Sequence, residues 1–246
     1  MYSYTKVEGE VLSDAINLPL FERFLEHCSE FWQKKTLSKA EHAHFCAQCM
    51  KFYKDKTFER VALYYRNFQT QDGTEVINGI PMPTLSSLLL SIDWDNLADG
   101  LPGRFHGDFH FENIIWSSEQ KMFTFLDWRQ DFGDSLTIGD IYYDLAKLLH
   151  GMIICHSLIA KDLYQVDWQY DSIDYDFHRK QILVECEQHF TDWLALQGYD
   201  VAKVKILTAL IFLNIAALHH APYSHLLYAL GKFLIYRSIN NKKPNI

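Results

Sequence analysis

The sequence lacks any long uninterrupted apolar run. Its most apolar stretch, Val204 to Leu218, has Lys205 near its start and is followed directly by His219 and His220. A membrane-spanning helix needs about 20 predominantly apolar residues, so this stretch predicts a buried core helix and no membrane span. The first residues also lack the basic flank and the apolar segment of a signal peptide.

Cysteine is scarce, since the 246 residues contain only five, an odd number. A disulfide framework is therefore not expected, and together with the missing export signal this predicts a cytoplasmic protein. Three cysteines lie in apolar helical patterns and are predicted to be core residues: Cys28, Cys155 and Cys186.

The other two cysteines form a CxxC. Cys46 and Cys49 share one face of a predicted helix with His42, and these are residue types that bind zinc. A structural zinc site usually combines two such elements, and the sequence contains no second CxxC. We therefore do not predict a metal site here.

Basic residues are in the minority, with 23 Lys and Arg against 31 Asp and Glu, for a formal net charge of −8. A nucleic-acid backbone requires clustered Lys and Arg, so we expect no nucleic acid as a partner. The apolar content, 48% of 246 residues, is enough for the packed core of a single domain.

The most informative stretch is residues 105–127. It holds an HGDxxxxN pattern that ends at Asn113, then an apolar run, a polar turn, and a second apolar run that leads to Asp127. The two runs predict a β-hairpin, which would bring Asp127 back beside Asn113. Asp108, in the HGD triplet, would lie in the loop before the first strand.

These three side chains supply the oxygen atoms that phosphoryl transfer requires: one carboxylate near the attacking hydroxyl, and an amide with a second carboxylate to hold magnesium on the phosphates. Magnesium prefers hard oxygen ligands and is usually shared with substrate phosphates. Asn113, Asp127 and the phosphates of ATP would therefore suffice. Taken singly, HGD also occurs in ordinary turns, and Asp127 would be a common strand-end carboxylate.

The pattern resembles the aminoglycoside phosphotransferase and choline kinase family, which has the protein-kinase-like fold. The catalytic loop of that family reads HGDxxxxN, its metal-binding carboxylate ends a following strand, and a GDxxxDLA segment comes next. Here residues 139–146 read GDIYYDLA, with Asp140 and Asp144 at the acidic positions. From the residues alone, both aspartates would simply lie near a helix start, where a carboxylate favours the helix dipole.

The resemblance implies a role for each residue. Asp108 would be the catalytic base, and Asn113 and Asp127 would bind Mg²⁺ and, through it, ATP. His106 would brace the loop without carrying a proton, and Asp144 would tie the following helix to the catalytic loop.

Residues 131–133 spell the DFG of protein kinases, but they follow four residues after Asp127 in a predicted loop. Because Asp127 ends the apolar strand, we assign the metal to Asp127 and not to Asp131. Arg129 could contact a phosphate, although an arginine beside carboxylates more often forms a surface or structural ion pair.

Two parts with which a kinase of this class holds ATP are missing from the sequence, a glycine-rich loop and a strand with the phosphate-pairing lysine. Residues 1–12 resemble the hinge of the family, which ends in GExL. We therefore expect the C-terminal lobe of a kinase-like phosphotransferase, α+β and mainly α-helical, with a small catalytic β-hairpin and without the N-terminal lobe. We expect a fragment of a larger polypeptide; a split half, whose N-terminal lobe belongs to another chain, is the alternative.

The predicted domain covers residues 1–246, divided into a hinge (1–12), a helical subregion (13–100), the catalytic loop and metal hairpin (101–138) and a helical acceptor-site region (139–246). Helices are predicted for residues 14–35, 38–68 with a break near 54–55, 84–94, 140–154, 177–196, 201–219 and 224–239. The remaining predictions are a short β-piece at 76–80, an acidic, aromatic loop at 167–176 and a frayed tail at 240–246.

The predicted function is that of a small-molecule kinase, which transfers the γ-phosphoryl group of ATP to a hydroxyl of a small acceptor. The acceptor-site region is aromatic and acidic, which suits a choline-like or amino-sugar acceptor, and a neutral sugar stays open. The residues concerned are Tyr142, Tyr143, Tyr164, Trp168, Tyr170, Asp171, Asp174 and Tyr175. A non-catalytic kinase-like binding module is the alternative, and a metal-dependent hydrolase is a weaker one.

Overall fold

The computed structural model describes residues 7–240. Helices make up most of this part of the chain, and its strands form small sheets. The predicted α+β, mainly α-helical fold is therefore confirmed. Residues 1–6 of the predicted hinge and residues 241–246 of the predicted tail lie outside the described residues.

The helices begin and end at residues that local chemistry favours. Asn17 caps α2 by accepting a hydrogen bond from the backbone N–H of Leu20 at 3.0 Å, and Ser38 and Glu41 form a capping box at the start of α3. The α-helices are α1 (Leu12–Ala15), α2 (Leu18–Phe31), α3 (Lys39–Met50), α4 (Lys56–Asn67), α5 (Leu85–Leu90), α6 (Trp94–Ala98), α7 (Ile141–Ile153), α8 (His156–Ile159), α9 (Gln181–Leu196), α10 (Val201–Ala216) and α11 (Tyr223–Asn240).

The strands are β1 (Glu10–Val11), β2 (Glu75–Ile77), β3 (Ile80–Met82), β4 (Pro102–Gly103), β5 (Ile114–Ser117), β6 (Met122–Phe125), β7 (Gly139–Asp140), β8 (Tyr164–Trp168) and β9 (Ser172–Phe177). The first sheet has the order β1-β5-β6, and the second has the order β3-β2-β9-β8. Neighbouring strands are antiparallel except β2 and β9, which are parallel. A short ribbon of β4 and β7 precedes α7.

The helix α10 lies at the centre of the helical part and packs against α4, α7 and α11. Most of its side chains are buried, so the core helix predicted for residues 204–218 is confirmed. Cys28, Cys155 and Cys186 are also buried, as predicted. Within residues 7–240, no helix is both long enough and apolar enough to cross a membrane.

The prediction of a loop at residues 167–176 is wrong, because this segment belongs to the β-hairpin of β8 and β9. Asp167 pairs with Asp174 across the hairpin. The acidic residues alternate with apolar ones such as Ile173, which is 1% exposed, and alternation is the pattern of a half-buried strand. The β-piece predicted at residues 76–80 is also part of a hairpin, in which β2 and β3 are joined at Asn78 and Gly79.

Four helix predictions differ from the structure. The helix predicted for 14–35 begins at Leu18, because Asn17 and Pro19 start a new helix there. The helix predicted for 84–94 is interrupted, because Asp93 accepts a hydrogen bond from the N–H of Asn96 and begins α6. The helix predicted for 177–196 begins at Gln181, since Phe177 still belongs to β9. The predicted break near residues 54–55 is a continuous π-helix, Lys51–Asp55.

Candidate active site

The predicted hairpin of β5 and β6 forms, with Ile114 opposite Phe125. Its pairing extends one step further, because the N–H of Leu126 donates to the carbonyl of Asn113 at 2.8 Å. Asp127 is the next residue, and its φ of 53° lies in the left-handed region. Aspartate tolerates this region better than most residues, and such strained backbone is concentrated at functional sites.

The loop that contains Asp108 is fastened to α7 by Asp144. The buried carboxylate of Asp144 accepts hydrogen bonds from the N–H of His106 and of Gly107, both at 2.7 Å, and from Trp32 Nε1 at 3.1 Å. Burial raises the pKa of Asp144 to about 7, against the effect of these donors. Both ends of the loop–helix contact are buried, so the HGD triplet is fixed relative to the core.

The start of α7 is fixed in the same way by Asp140, which is fully buried. Its carboxylate accepts hydrogen bonds from the hydroxyl of Tyr53 at 2.6 Å and from the N–H of Leu101 at 2.8 Å. It also caps α7 through the N–H of Tyr142 at 3.0 Å. Asp140 therefore lies at a helix start, as the dipole argument expected.

His106 is fully buried beneath the loop. Its Nδ1 accepts a hydrogen bond from the N–H of Asp108 at 3.3 Å, and its ring packs against Phe109 and Trp128. Burial lowers the pKa of His106 to about 4, so the imidazole is neutral at physiological pH. These contacts hold His106 in place beneath the loop.

Asp108 has a neighbour that the sequence analysis missed, Lys147 on α7. The Nζ of Lys147 lies 2.6 Å from Oδ1 of Asp108, and Nδ2 of Asn113 donates to Oδ2 of Asp108 at 3.2 Å and to its carbonyl at 2.9 Å. Burial opposes ionisation, but hydrogen bonds from His110 and Lys147 and the charge of Lys147 hold the pKa of Asp108 well below its usual range. Asp108 is therefore a carboxylate at any physiological pH.

His110 and Glu112 extend this network. The Nε2 of His110 lies 3.6 Å from Oδ2 of Asp108, and its Nδ1 lies 3.1 Å from Oε2 of Glu112. Burial lowers the pKa of His110, but the hydrogen bonds with Asp108 and Glu112 outweigh it, so that the pKa is raised. His110 thus acts as a bridge that fixes the orientation of the Asp108 carboxylate.

A cleft of about 410 Å³ opens in front of Asp108, within the size range of small-molecule sites. Asp108 and Asp127 both line this cleft. Asn113 is 9% exposed and lies next to the cleft, where its Nδ2 is hydrogen-bonded to Asp108. The remaining lining residues come from the loops, α4, α7 and α10: Lys56, Arg60, Gly107, Arg129, Tyr143, Lys147, Ile211, Asn214, Ile215 and Leu218.

One sequence signal could have identified Lys147. It lies four residues after Tyr143, so both residues occupy one face of α7, and both line the cleft. A lysine in a helix that is otherwise apolar and buried needs a partner. Lys56 and Arg60, one turn apart on α4, carried no such signal, because α4 shows the ordinary pattern of a half-exposed helix.

Asp131 does not line the cleft that contains Asp108, but an adjoining pocket that it shares with Asp134. Arg129 lies between the two pockets. Its Nε donates to the carbonyl of Asp131 at 2.9 Å and lies 3.7 Å from the Asp131 carboxylate. Arg129 therefore both forms the expected structural ion pair and contributes a positive charge to the cleft.

The aromatic and acidic residues expected around the acceptor are largely elsewhere. Tyr143 lines the cleft, but within residues 7–240 no residue of β8 or β9 does. That hairpin packs against α11 instead, and Trp168 stacks on His225 at 4.2 Å. The residues around Asp108 give no support for an aromatic cage.

The two cysteines of the CxxC and His42 do not form a three-ligand cluster. Cys49 is buried, with its Sγ 4.0 Å from Asp140, and Asp99 takes its place beside His42 and Cys46. His42 lies 3.6 Å from the Cys46 sulfur and 3.4 Å from Asp99. These three groups satisfy one another, whereas structural zinc takes four ligands.

Comparison with known proteins bears on the same part of the chain. A family model described as "Phosphotransferase enzyme family" matches residues 87–179. The match covers well under half of the chain but includes Asp108, Asn113, Asp127 and Lys147. A search of curated proteins and a search of solved structures each found no match. Residues 87–179 are thus similar to phosphotransferases.

Proposed function

We propose that this chain is a small-molecule kinase that transfers the γ-phosphoryl group of ATP to a hydroxyl of a small acceptor. One observation carries the proposal: an ionised Asp108, hydrogen-bonded to Asn113, shares a cleft with the carboxylate of Asp127. The similarity of residues 87–179 to phosphotransferases supports the same class of reaction.

The donor set fits Mg²⁺. Because Nδ2 of Asn113 is committed to Asp108, its Oδ1 is the atom that remains for a ligand. The carboxylate of Asp127 forms no hydrogen bond or ion pair within the described part of the chain. An amide oxygen and a carboxylate are the hard ligands that magnesium prefers. Bound there, magnesium would neutralise negative charge on the phosphates of ATP.

Asp108 would act on the acceptor. Its carboxylate accepts a hydrogen bond from the acceptor hydroxyl and directs the oxygen at the γ-phosphorus. A bond forms between that oxygen and the phosphorus, the bond to the β–γ bridging oxygen breaks, and ADP leaves. The hydroxyl proton passes late to Asp108, which suits a carboxylate whose pKa is held low.

Asp144, Asp140 and His106 would act as positioning residues. Asp144 and His106 hold the HGD loop through hydrogen bonds with its backbone N–H groups. Asp140 fixes the start of α7, the helix to which the loop is fastened, and none of the three would touch a substrate. A shift of the reacting groups by 1 Å can cost about 100-fold in rate, so a loop fastened at several backbone positions serves catalysis directly.

One observation favours the second candidate, a non-catalytic binding module. Oδ1 of Asp108 is already bonded to Lys147 at 2.6 Å, so the carboxylate is partly satisfied without a substrate. Each carboxylate oxygen has two lone pairs, however, and Asp108 can accept a further hydrogen bond. Transfer of labelled phosphate decides between these two functions.

Titration of the protein with ATP by calorimetry tests the proposal. We expect binding with Mg²⁺ present and a large loss of affinity when Mg²⁺ is replaced by a chelator, because the phosphates reach Asn113 and Asp127 only through the metal. The protein should then move label from γ-labelled ATP to a hydroxyl compound. Binding that ignores Mg²⁺ would contradict the site, and Mg²⁺-dependent binding without any transfer would favour the non-catalytic module.

A further inference from the structure

The cleft in front of Asp108 is basic although the chain as a whole is acidic. Against the carboxylates of Asp108 and Asp127 it presents four cationic side chains: Lys56, Arg60, Arg129 and Lys147. The formal net charge of the chain is −8, so the reversal of sign is local. A cleft lined by one sign of charge concentrates ligands of the opposite sign.

Two of the four cations are already paired, and two are not. Lys147 is bonded to Asp108, and Arg129 is bonded to Asp131. Lys56 and Arg60 form no ion pair or side-chain hydrogen bond with any of the residues 7–240. They lie one helical turn apart on α4, so that they can contact one ligand together.

One of the two unpaired charges, Lys56, contacts an aromatic ring that it shares with Arg129. Nζ of Lys56 lies 4.1 Å and the guanidinium of Arg129 4.9 Å from the centre of the Phe52 ring, and Phe52 is 9% exposed. Burial, and then the charges of Arg129, Arg60 and Lys147, lower the pKa of Lys56 to about 8. The protein therefore holds like charges together at a cost, and a bound anion would offset that cost.

The helix α10 offers a further unused group. Asn214 on α10 lines the cleft, and its Oδ1 is buried without a hydrogen-bond partner in the described residues. Native proteins leave few such groups unsatisfied, and a polar ligand in the cleft would satisfy this one. Beside the Asp127 carboxylate, the groups of the cleft without partners in the described residues thus lie on α4 and α10.

The lining groups come from two different parts of the fold. Asn113 and Asp127 flank the hairpin of β5 and β6 and would hold the metal and the nucleotide phosphates. Lys56 and Arg60 belong to α4, and that helix packs against α10. The unpaired cations thus lie on the helical side, where an acceptor would reach Asp108.

We propose that the acceptor is anionic, a hydroxyl compound with a phosphate or carboxylate group that Lys56 and Arg60 bind while its hydroxyl meets Asp108. This proposal rests on the proposed function and reverses the expectation of a cationic acceptor.

Calorimetry at fixed ionic strength tests it with four probes on the full chain: inorganic phosphate, glucose 6-phosphate, glucose and glucosamine. We expect both phosphate probes to bind more tightly than the neutral and the cationic sugar. Lys56→Gln and Arg60→Gln should each weaken phosphate binding about tenfold, the loss expected when one charge-assisted hydrogen bond is removed. Lys54→Gln removes the same charge from the neighbouring π-helix, outside the cleft, and should leave binding unchanged.

The affinity for Mg²⁺–ATP separates this proposal from the proposed function. It should fall in Asp127→Asn and stay unchanged in Lys56→Gln and Arg60→Gln. If phosphate does not bind, if glucosamine binds more tightly, or if the α4 variants bind phosphate like wild type, the anionic acceptor is refuted while the kinase can stand. If the α4 variants lose Mg²⁺–ATP as strongly as phosphate, these cations serve the nucleotide, which also overturns the assignment.

Discussion

Replacement of Asp108 by Asn is expected to lower phosphoryl transfer by about 10²–10⁴-fold, the usual contribution of a general base. The amide has the size of the carboxylate but cannot take the proton of the acceptor hydroxyl. Mg²⁺-dependent ATP binding should persist, because it depends on Asn113 and Asp127. The rate is measured with γ-labelled ATP, and the affinity by calorimetry.

The matched control is Asp174→Asn. Asp174 lies exposed on β9, in the segment predicted to be an acidic loop near the acceptor. Within the described residues, no residue of β8 or β9 lines the cleft. We expect wild-type transfer from this variant. The thermal unfolding temperature of Asp108→Asn must be measured together with its transfer rate, because Lys147 loses its ionic partner in this variant. An Asp108→Asn protein that is folded and as active as wild type would remove Asp108 from the mechanism.

The second large effect is expected for Asp127→Asn, which should lose Mg²⁺-dependent ATP binding. Loss of a metal's outer-shell partner alone costs about 10–100-fold in affinity, and replacement of a charged ligand should cost at least as much. Asparagine tolerates the left-handed backbone that residue 127 adopts. The variant therefore tests the contribution of the Asp127 charge to binding and should not disturb the fold.

Asp131→Asn is the matched control for Asp127→Asn, because Asp131 belongs to the DFG triplet only four residues away. It lines the adjoining pocket, and its loss should leave the affinity for Mg²⁺–ATP near that of wild type. The reverse order of effects, with Asp131 essential and Asp127 dispensable, would transfer the metal to the DFG triplet.

The hairpin and its loop were predictable because their signals are local. The two apolar runs and the turn between them determine the pairing, and β5 and β6 form between Asn113 and Asp127, as predicted. The helix caps at Ser38 and Asp140 are likewise set by neighbours within four residues. The roles of Asp108, Asn113 and Asp127 in catalysis stay predictions.

The charge of the cleft was not predictable, because it depends on contacts between distant segments. Lys56 and Lys147 are separated by 91 positions in the sequence, and only the packing of α4 and α7 around α10 brings both to one cleft. The overall composition indicates a negative charge, because the formal net charge of the chain is −8. The hairpin at residues 164–177 was missed for a different reason, since its acidic residues concealed a regular alternation.

Asn113 and Asp127 are proposed to bind one divalent cation beside Asp108. Crystals grown with ATP and Mn²⁺ in place of Mg²⁺ test this proposal most directly, because anomalous scattering locates manganese independently of any model of the protein. We predict one peak within bonding distance of Asn113 Oδ1 and the Asp127 carboxylate. A peak at Asp131 and Asp134, or nucleotide bound with no metal between those two side chains, would contradict the account.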